Sequence, residues 1–318
     1  MYMMHQKFYS VLSILLAFSC LPLHSQTDLD ACWEVNYGLY PRQIAVGNTS
    51  EAFPEQSPTP RKLVSLTPLT GQNVTFSTRV WSQMELKERA NYNFTYPVVA
   101  QPNLWSLWNV IRFGLEVEQS ITAYDLGADQ DDSFKYPLRP PDSTYCEDLK
   151  SLLFRTDFVD SLDVNGEPIY DSLSEERIQT ERLVPILASD IVKYYIKEDW
   201  FFDMERSVME KRIIGIAPVI NKFDEYGDIK GLQTLFWLYY PECELMFQNH
   251  TGYVRKVDEV KFSYTDLFRK RSFSTTIIKK SNSPNSKLNS TLSGEDALLE
   301  SERIRQGYDN MESDLWSY

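Results

Sequence analysis

Between Asp190 and Tyr240 the chain carries three consecutive runs suited to strands: DIVKYYIKEDWFFD, MERSVMEKRIIGIAPVINKF and LQTLFWLYYP. Each is dense in Ile, Val, Tyr, Phe and Trp, residues that fit a pleated, half-buried surface. In the first run Val192, Tyr194, Ile196 and Trp200 recur at period two, and Glu198 breaks the series. The second is almost wholly apolar from Ile213 to Ile220, and the third from Leu235 to Tyr240, as expected of strands covered on both sides. Asp203-Met204-Glu205-Arg206 and Asp224-Glu225-Tyr226-Gly227-Asp228 supply turn chemistry between them. Short connections between consecutive strands imply hairpins, so the stretch predicts an antiparallel three-stranded meander.

Periodic segments surround it. Phe76, Val80, Trp81 and Met84 predict a helix over Asn73–Arg89. Leu104, Leu107, Trp108, Ile111 and Leu115 predict a second, with Pro102 ahead of it and Gly114 near its end. The aromatic residues of that face are expected to be core. Ile121–Tyr124 is a short strand, and Asp125–Asp132 an acidic, turn-rich loop. Cys146–Phe154, Ser174–Leu187 (bent by Pro185) and Tyr264–Lys280 are expected helices, and a last one starts at Ser293 with Asp296 as its capping box. Helices before and after an antiparallel sheet make the fold class α+β.

Residues 1–25 have the form of a secretory signal. Lys7 gives a weak positive region, Val11–Leu21 the apolar region, and Leu23-His24-Ser25 a cleavage site before Gln26. The apolar run Phe8–Leu23 is 16 residues, short of the roughly 20 that span a bilayer. A lipidation signal at Cys20 is the weaker alternative, because Phe18 is bulky where a small residue is wanted. Removal of this segment leaves Cys32, Cys146 and Cys243, an odd number with no CxxC spacing, so at most one disulfide forms within a chain. A net charge of -13 argues against nucleic acid, whose phosphates require a basic face. Residues 26–57 form an N-terminal arm or linker with Pro54 near its end.

Chemistry-bearing motifs are scarce. Past residue 25 the single histidine is His250, in a loop with no nucleophile motif beside it, and a surface position is expected for it. No GxSxG, HExxH, Walker loop or GxGxxG occurs, so no catalytic, cofactor-binding or metal residue is assigned and no cofactor is expected. Two alternatives remain. Asp125, Asp129, Asp131 and Asp132 would make a calcium-dependent binding module, although the register is not that of an EF-hand. Glu198, Asp199, Asp203 and Glu210 would make a carboxylate-dependent glycan hydrolase, although Lys197, Arg206, Lys211 and Arg212 beside them favour surface ion pairs.

Ordered blocks of sequence carry a resemblance. PTPRKLVSLTPL, TRVWSQMELKERAN and ITAYDLGADQDDSFKYPL are followed by EDWFFD, RSVMEKRIIGIAPV and LFWLYYPE. SYTDLFRKRSFSTTIIKKSN, SGEDALLESERIR and the terminal DLWSY complete the series. Over about residues 57–318 the chain resembles the GldN/PorN family of Bacteroidetes gliding and secretion proteins. The resemblance implies a non-catalytic periplasmic subunit of the type IX secretion and gliding machinery. It implies a ring assembled by self-association, an outer-membrane lipoprotein partner of the GldK/PorK kind, and a link to the GldL–GldM motor of the inner membrane. The chain then divides into a signal (1–25), an arm (26–57), an α+β core (58–292) and a C-terminal helix (293–318).

That last helix carries an apolar stripe, with Ala297, Ser301, Ile304, Tyr308, Met311 and Leu315 alternating by four and three residues. Ser301 weakens the stripe. Packing on the chain's own sheet is one expectation. The other gives Tyr308, Met311, Leu315 and Trp316 to a neighbouring subunit or lipoprotein, with Trp316 as anchor.

Overall fold

The computed structural model describes residues 63, 66–68, 74–101, 104–128, 130–139, 144–161, 167–170, 177–223, 228–252, 262–281 and 294–316. The expected signal and the arm 26–57 lie outside them, as does Ser293. The first two apolar runs form the two longest strands, β6 (Ile191–Asp203) and β7 (Val208–Phe223). They pair antiparallel from Ile191↔Ile220 to Asp203↔Val208, with register shifts at Ile191/Lys193 and at Lys197/Glu198. The third run is split: Leu232–Thr234 end one strand, and Trp237–Tyr239 form β9, whose Leu238 and Tyr239 pair with Ile216 and Gly215. The first of these, β8 (Ile229–Thr234), pairs with the rest of β7 from Val219 to Phe223. One long strand thus serves two short partners placed end to end.

The sheet grows on both sides of this pair to eight strands, in the order β12-β1-β6-β7-β9-β2-β3 with β8 also on β7. Here β1 is Val74–Glu85, β2 Ala123–Asp125, β3 Tyr136–Leu138 and β12 Thr276–Lys280, while β10 (Thr251–Gly252) and β11 (Phe262–Ser263) pair with each other apart from this sheet. Its named pairings are antiparallel, and with the helices they make the fold α+β.

Three expected helices are corrected. Asn73–Arg89 is β1 instead, paired with β6 from Val74↔Asp203 to Glu85↔Lys193. Val80 packs on one face of the sheet with Trp200 and Ile277, while Trp81 packs on the other with Tyr124 and Trp237. A strand buried on both faces places apolar residues at both parities, and here they fell at helical spacing. Ser174–Leu187 is corrected in the same way. Gln179–Pro185 is β5, in an antiparallel ladder with β4 (Phe154–Asp160) apart from the main sheet. Cross-strand pairing outweighs the local propensity of this segment.

In Tyr264–Lys280 only the first turns are helical, as α5 (Tyr264–Arg269). Ser263 caps the start in a reciprocal capping box with Asp266. The end is a Schellman turn. Arg271 has φ 52°, its N–H donates to the Phe268 carbonyl at 3.1 Å, and the Ser272 N–H donates to the Leu267 carbonyl at 2.9 Å. A chain turned there by Arg rather than Gly gives no stop signal in sequence, and the β-branched TTIIKK then joins the sheet edge as β12.

Among the described residues the remaining α-helices are α1 (Tyr92–Thr95), α2 (Leu107–Glu116), α3 (Tyr145–Leu153), α4 (Tyr240–Asn249) and α6 (Gly294–Trp316). Ser106 caps α2 by accepting from the Asn109 N–H, and Trp108, Ile111 and Leu115 are fully buried. Phe94, Phe247, Tyr264 and Phe268 form a tilted aromatic cluster joining α1, α4 and α5. Tyr264 anchors it, donating to the Trp105 carbonyl at 2.7 Å.

Candidate functional site

The longest of the described helices, α6, lies against β12 and reaches β7. Its buried positions are the first members of the apolar stripe. Ala297, Ser301 and Tyr308 are buried and Ile304 is partly so. The Tyr308 ring sits 5.3 Å from Trp200, edge to face, and 5.7 Å from Phe76. Ser301 has a role that an apolar residue would not supply. Its Oγ accepts the Ile277 N–H at 2.8 Å, beside the irregularity in the β1–β12 register. Arg305 donates to the Thr275 carbonyl at 2.5 Å, and Glu312 accepts the Met209 N–H at 3.3 Å. The helix is therefore tied to the sheet along its length.

The other face of α6 is open. Leu298 and Leu299 on that face are 56% and 63% exposed, while Met311, on the stripe one turn beyond Tyr308, is 37% exposed. Glu295, Glu302 and Asp309 share that face with the two leucines. Of the residues expected to touch a partner, Tyr308 is in the chain's own core, Met311 is partly exposed, and the side chains of Leu315 and Trp316 lie outside those described.

Charges inside the sheet hold structure together on both faces. Glu198 is 1% exposed. It accepts two hydrogen bonds from Arg271, at 2.7 and 3.2 Å, and one from the Trp200 indole at 3.0 Å. The break in the period-two pattern of β6 is thus an ion pair closed by the left-handed residue of the Schellman turn. On the opposite face Lys197 is buried too. It donates to the Asp132 carbonyl at 2.6 Å and lies 5.0 Å over the Phe134 ring. Burial lowers its pKa, offset in part by Asp132.

The acidic loop is pinned at that point. Asp132 accepts the Trp81 indole N–H at 2.5 Å and pairs with Lys197 at 3.3 Å. Asp131 accepts from Lys135 and from the Ser133 amide and hydroxyl, which hold its carboxyl down at about 2. Asp125 accepts the Leu126 N–H. These three carboxylates are turned to separate protein donors rather than to one point, and Asp129 lies outside the described residues.

The hairpin carboxylates are divided in the same way. Alternation sends Glu198 and Asp199 to opposite faces of β6. Asp199 holds Arg79 through two bonds of 2.6 and 2.8 Å. Asp203 accepts from Arg206 at 2.7 Å, and Glu210 from Arg212 at 2.7 Å and from Arg206. His250 is half-buried, not on an open loop. Its Nδ1 lies 2.9 Å from the Met246 carbonyl, and its ring is 5.3 Å from that of Trp105. Cys146 is disulfide-bonded to a residue outside those described, and Cys243 is a buried free thiol whose pKa burial pushes up.

The chemistry brought together here fastens loops and a helix to a sheet. Residues 69–317, well over half of the chain, match a family described as gliding motility associated protein GldN. No curated protein matches the chain.

Proposed function

The chain belongs to the GldN family of gliding-motility-associated proteins, components of the gliding and type IX secretion machinery, and from that premise we propose that it is a non-catalytic structural subunit. In this reading it is exported to the periplasm by residues 1–25 and starts at Gln26. It is held at the outer membrane by a lipoprotein of the GldK/PorK kind. Copies of it associate in a ring linked to a GldL–GldM-type motor. The family match over residues 69–317 is the observation that carries the reading. The side chains agree with it. Glu198, Asp199, Asp203 and Glu210 are each engaged by an arginine, while α6 presents Leu298 and Leu299 outward and leaves Met311 partly exposed. Exposed apolar side chains rimmed by acids suit protein contact. Tagged chain recovered from detergent-solubilised envelope tests the proposal. An outer-membrane lipoprotein co-purifying with it supports the reading, and recovery without any envelope partner refutes it.

A further inference from the structure

Beneath α6 is a cavity of about 140 Å³, partly open to solvent, whose lining includes Ser82, Trp200, Lys211, Arg271 and Arg305. Its position follows from the register. Trp200 on β6 stands opposite Lys211 on β7, Ser82 on β1 stands opposite Ile277 on β12, and α6 closes the side with Arg305. Three cations converge in a protein of net charge -13.

Their partners leave positive charge over. Glu198, buried at the cavity edge, neutralises Arg271. Lys211 lies 4.3 Å over the Trp200 ring and 3.6 Å from Asp309, which is 58% exposed. Arg305 donates to the Thr275 carbonyl, and its other terminal nitrogen is 4.0 Å from Glu302, 54% exposed. Ion pairs with exposed acids are screened and weak, so two of the three cations are largely uncompensated from the solvent side.

A second feature points to a ligand. Ser82 is 2% exposed and lines the cavity, yet its hydroxyl has no hydrogen-bond partner among the described residues. A buried hydroxyl without a partner is unfavourable, and groups of this kind call for an explanation. An acceptor in the cavity would satisfy it.

We propose that this cavity binds a small oxyanion, a phosphate or carboxylate group, held by Lys211, Arg305 and the Ser82 hydroxyl. The guanidinium presents N–H groups in a fixed fork, the ammonium adds a point charge, and the serine donates the third contact. The inference stands independently of the secretion-machinery reading, because it uses only the chain's own donors.

The test is calorimetric titration of the mature chain with sodium phosphate and with sodium acetate, against sodium chloride of equal ionic strength, with melting temperature read in parallel. Saturable heat and a rise in melting temperature are expected for an oxyanion and not for chloride, since a ligand of the folded state stabilises it by mass action. Glycerol 3-phosphate separates the sources. Binding equal to phosphate assigns the site to a phosphate carried on a larger molecule, and exclusion assigns it to the free anion. Ser82→Ala weakens binding about tenfold or more while leaving the unliganded fold intact. Lys211→Gln weakens it similarly and does not touch the Arg305–Thr275 tie. Equal responses to chloride and oxyanion, or unchanged binding in both variants, would overturn the proposal.

Discussion

Arg271→Gln removes the partner of a buried carboxylate and is expected to be the most damaging single change at the sheet edge. Glu198 is 1% exposed and keeps only the Trp200 indole as donor once the guanidinium has gone. Breaking a buried pair from one side costs about 3–5 kcal/mol. The Arg271 side chain is 35% exposed, so water partly takes its place and the low end, about 3 kcal/mol, applies. For a protein of this size about 1 kcal/mol corresponds to roughly 2–4 °C, so the melting temperature should fall by about 6–12 °C. Two companions separate charge from backbone. Arg271→Gly loses the same pair but relieves the left-handed conformation of φ 52°, so it should be about 1 kcal/mol less harmful than the Gln variant. Glu198→Gln combined with Arg271→Gln removes both charges and should recover most of the loss. Urea unfolding of the four proteins provides the free energies. A loss under about 1 kcal/mol for Arg271→Gln, or a double variant worse than the single, would refute the reasoning.

Other consequences are as concrete. Ser301→Ala leaves the Ile277 N–H without its acceptor, and should cost about 1–3 kcal/mol and speed amide exchange in β12 before the rest of the sheet. Burial raises the pKa of Tyr194, Tyr240 and Tyr264 above 10.0. Their contribution is therefore complete below pH about 10 and lost above it, as the unfolded chain ionises first. Tyr194→Phe removes a buried hydroxyl that has no partner among the described residues. It should hold or raise stability at pH 7 and flatten the alkaline loss seen in unfolding curves. The mature chain, denatured without reduction, should take up one alkyl group, on Cys243, and two more after reduction; mass spectrometry counts them. Folded protein should take up none, because the Cys243 thiol is buried.

What the sequence disclosed depended on how many faces each element buries. β6 and β7 are long and apolar enough to be evident, and α2 shows its stripe of Trp108, Ile111 and Leu115 plainly. β1 was hidden because Val80 and Trp81 are buried on opposite faces, and β12 because Arg271 turns the chain where no Gly or Pro marks a stop. The inner side of α6 was legible from the spacing of Ala297, Ser301, Ile304 and Tyr308, but the use of Ser301 as an acceptor for a strand was not. Glu198 signalled itself as a charge inside an apolar period. Its partner is 73 positions away, beyond any local pattern. Lys211 and Arg305 belong to different elements, and only the docking of α6 brings them to one cavity.

As proposed, this chain acts as a structural subunit through partners in the cell envelope. Quantitative co-purification of tagged chain from detergent-solubilised envelope, with unmodified protein beside Met311→Asp, tests it most directly. Met311 is 37% exposed, so the variant should remain folded and exported. Unmodified protein should bring down an outer-membrane lipoprotein and further copies of itself, and Met311→Asp much less. Recovery of the unmodified chain alone, in soluble form and with no lipoprotein, would contradict it.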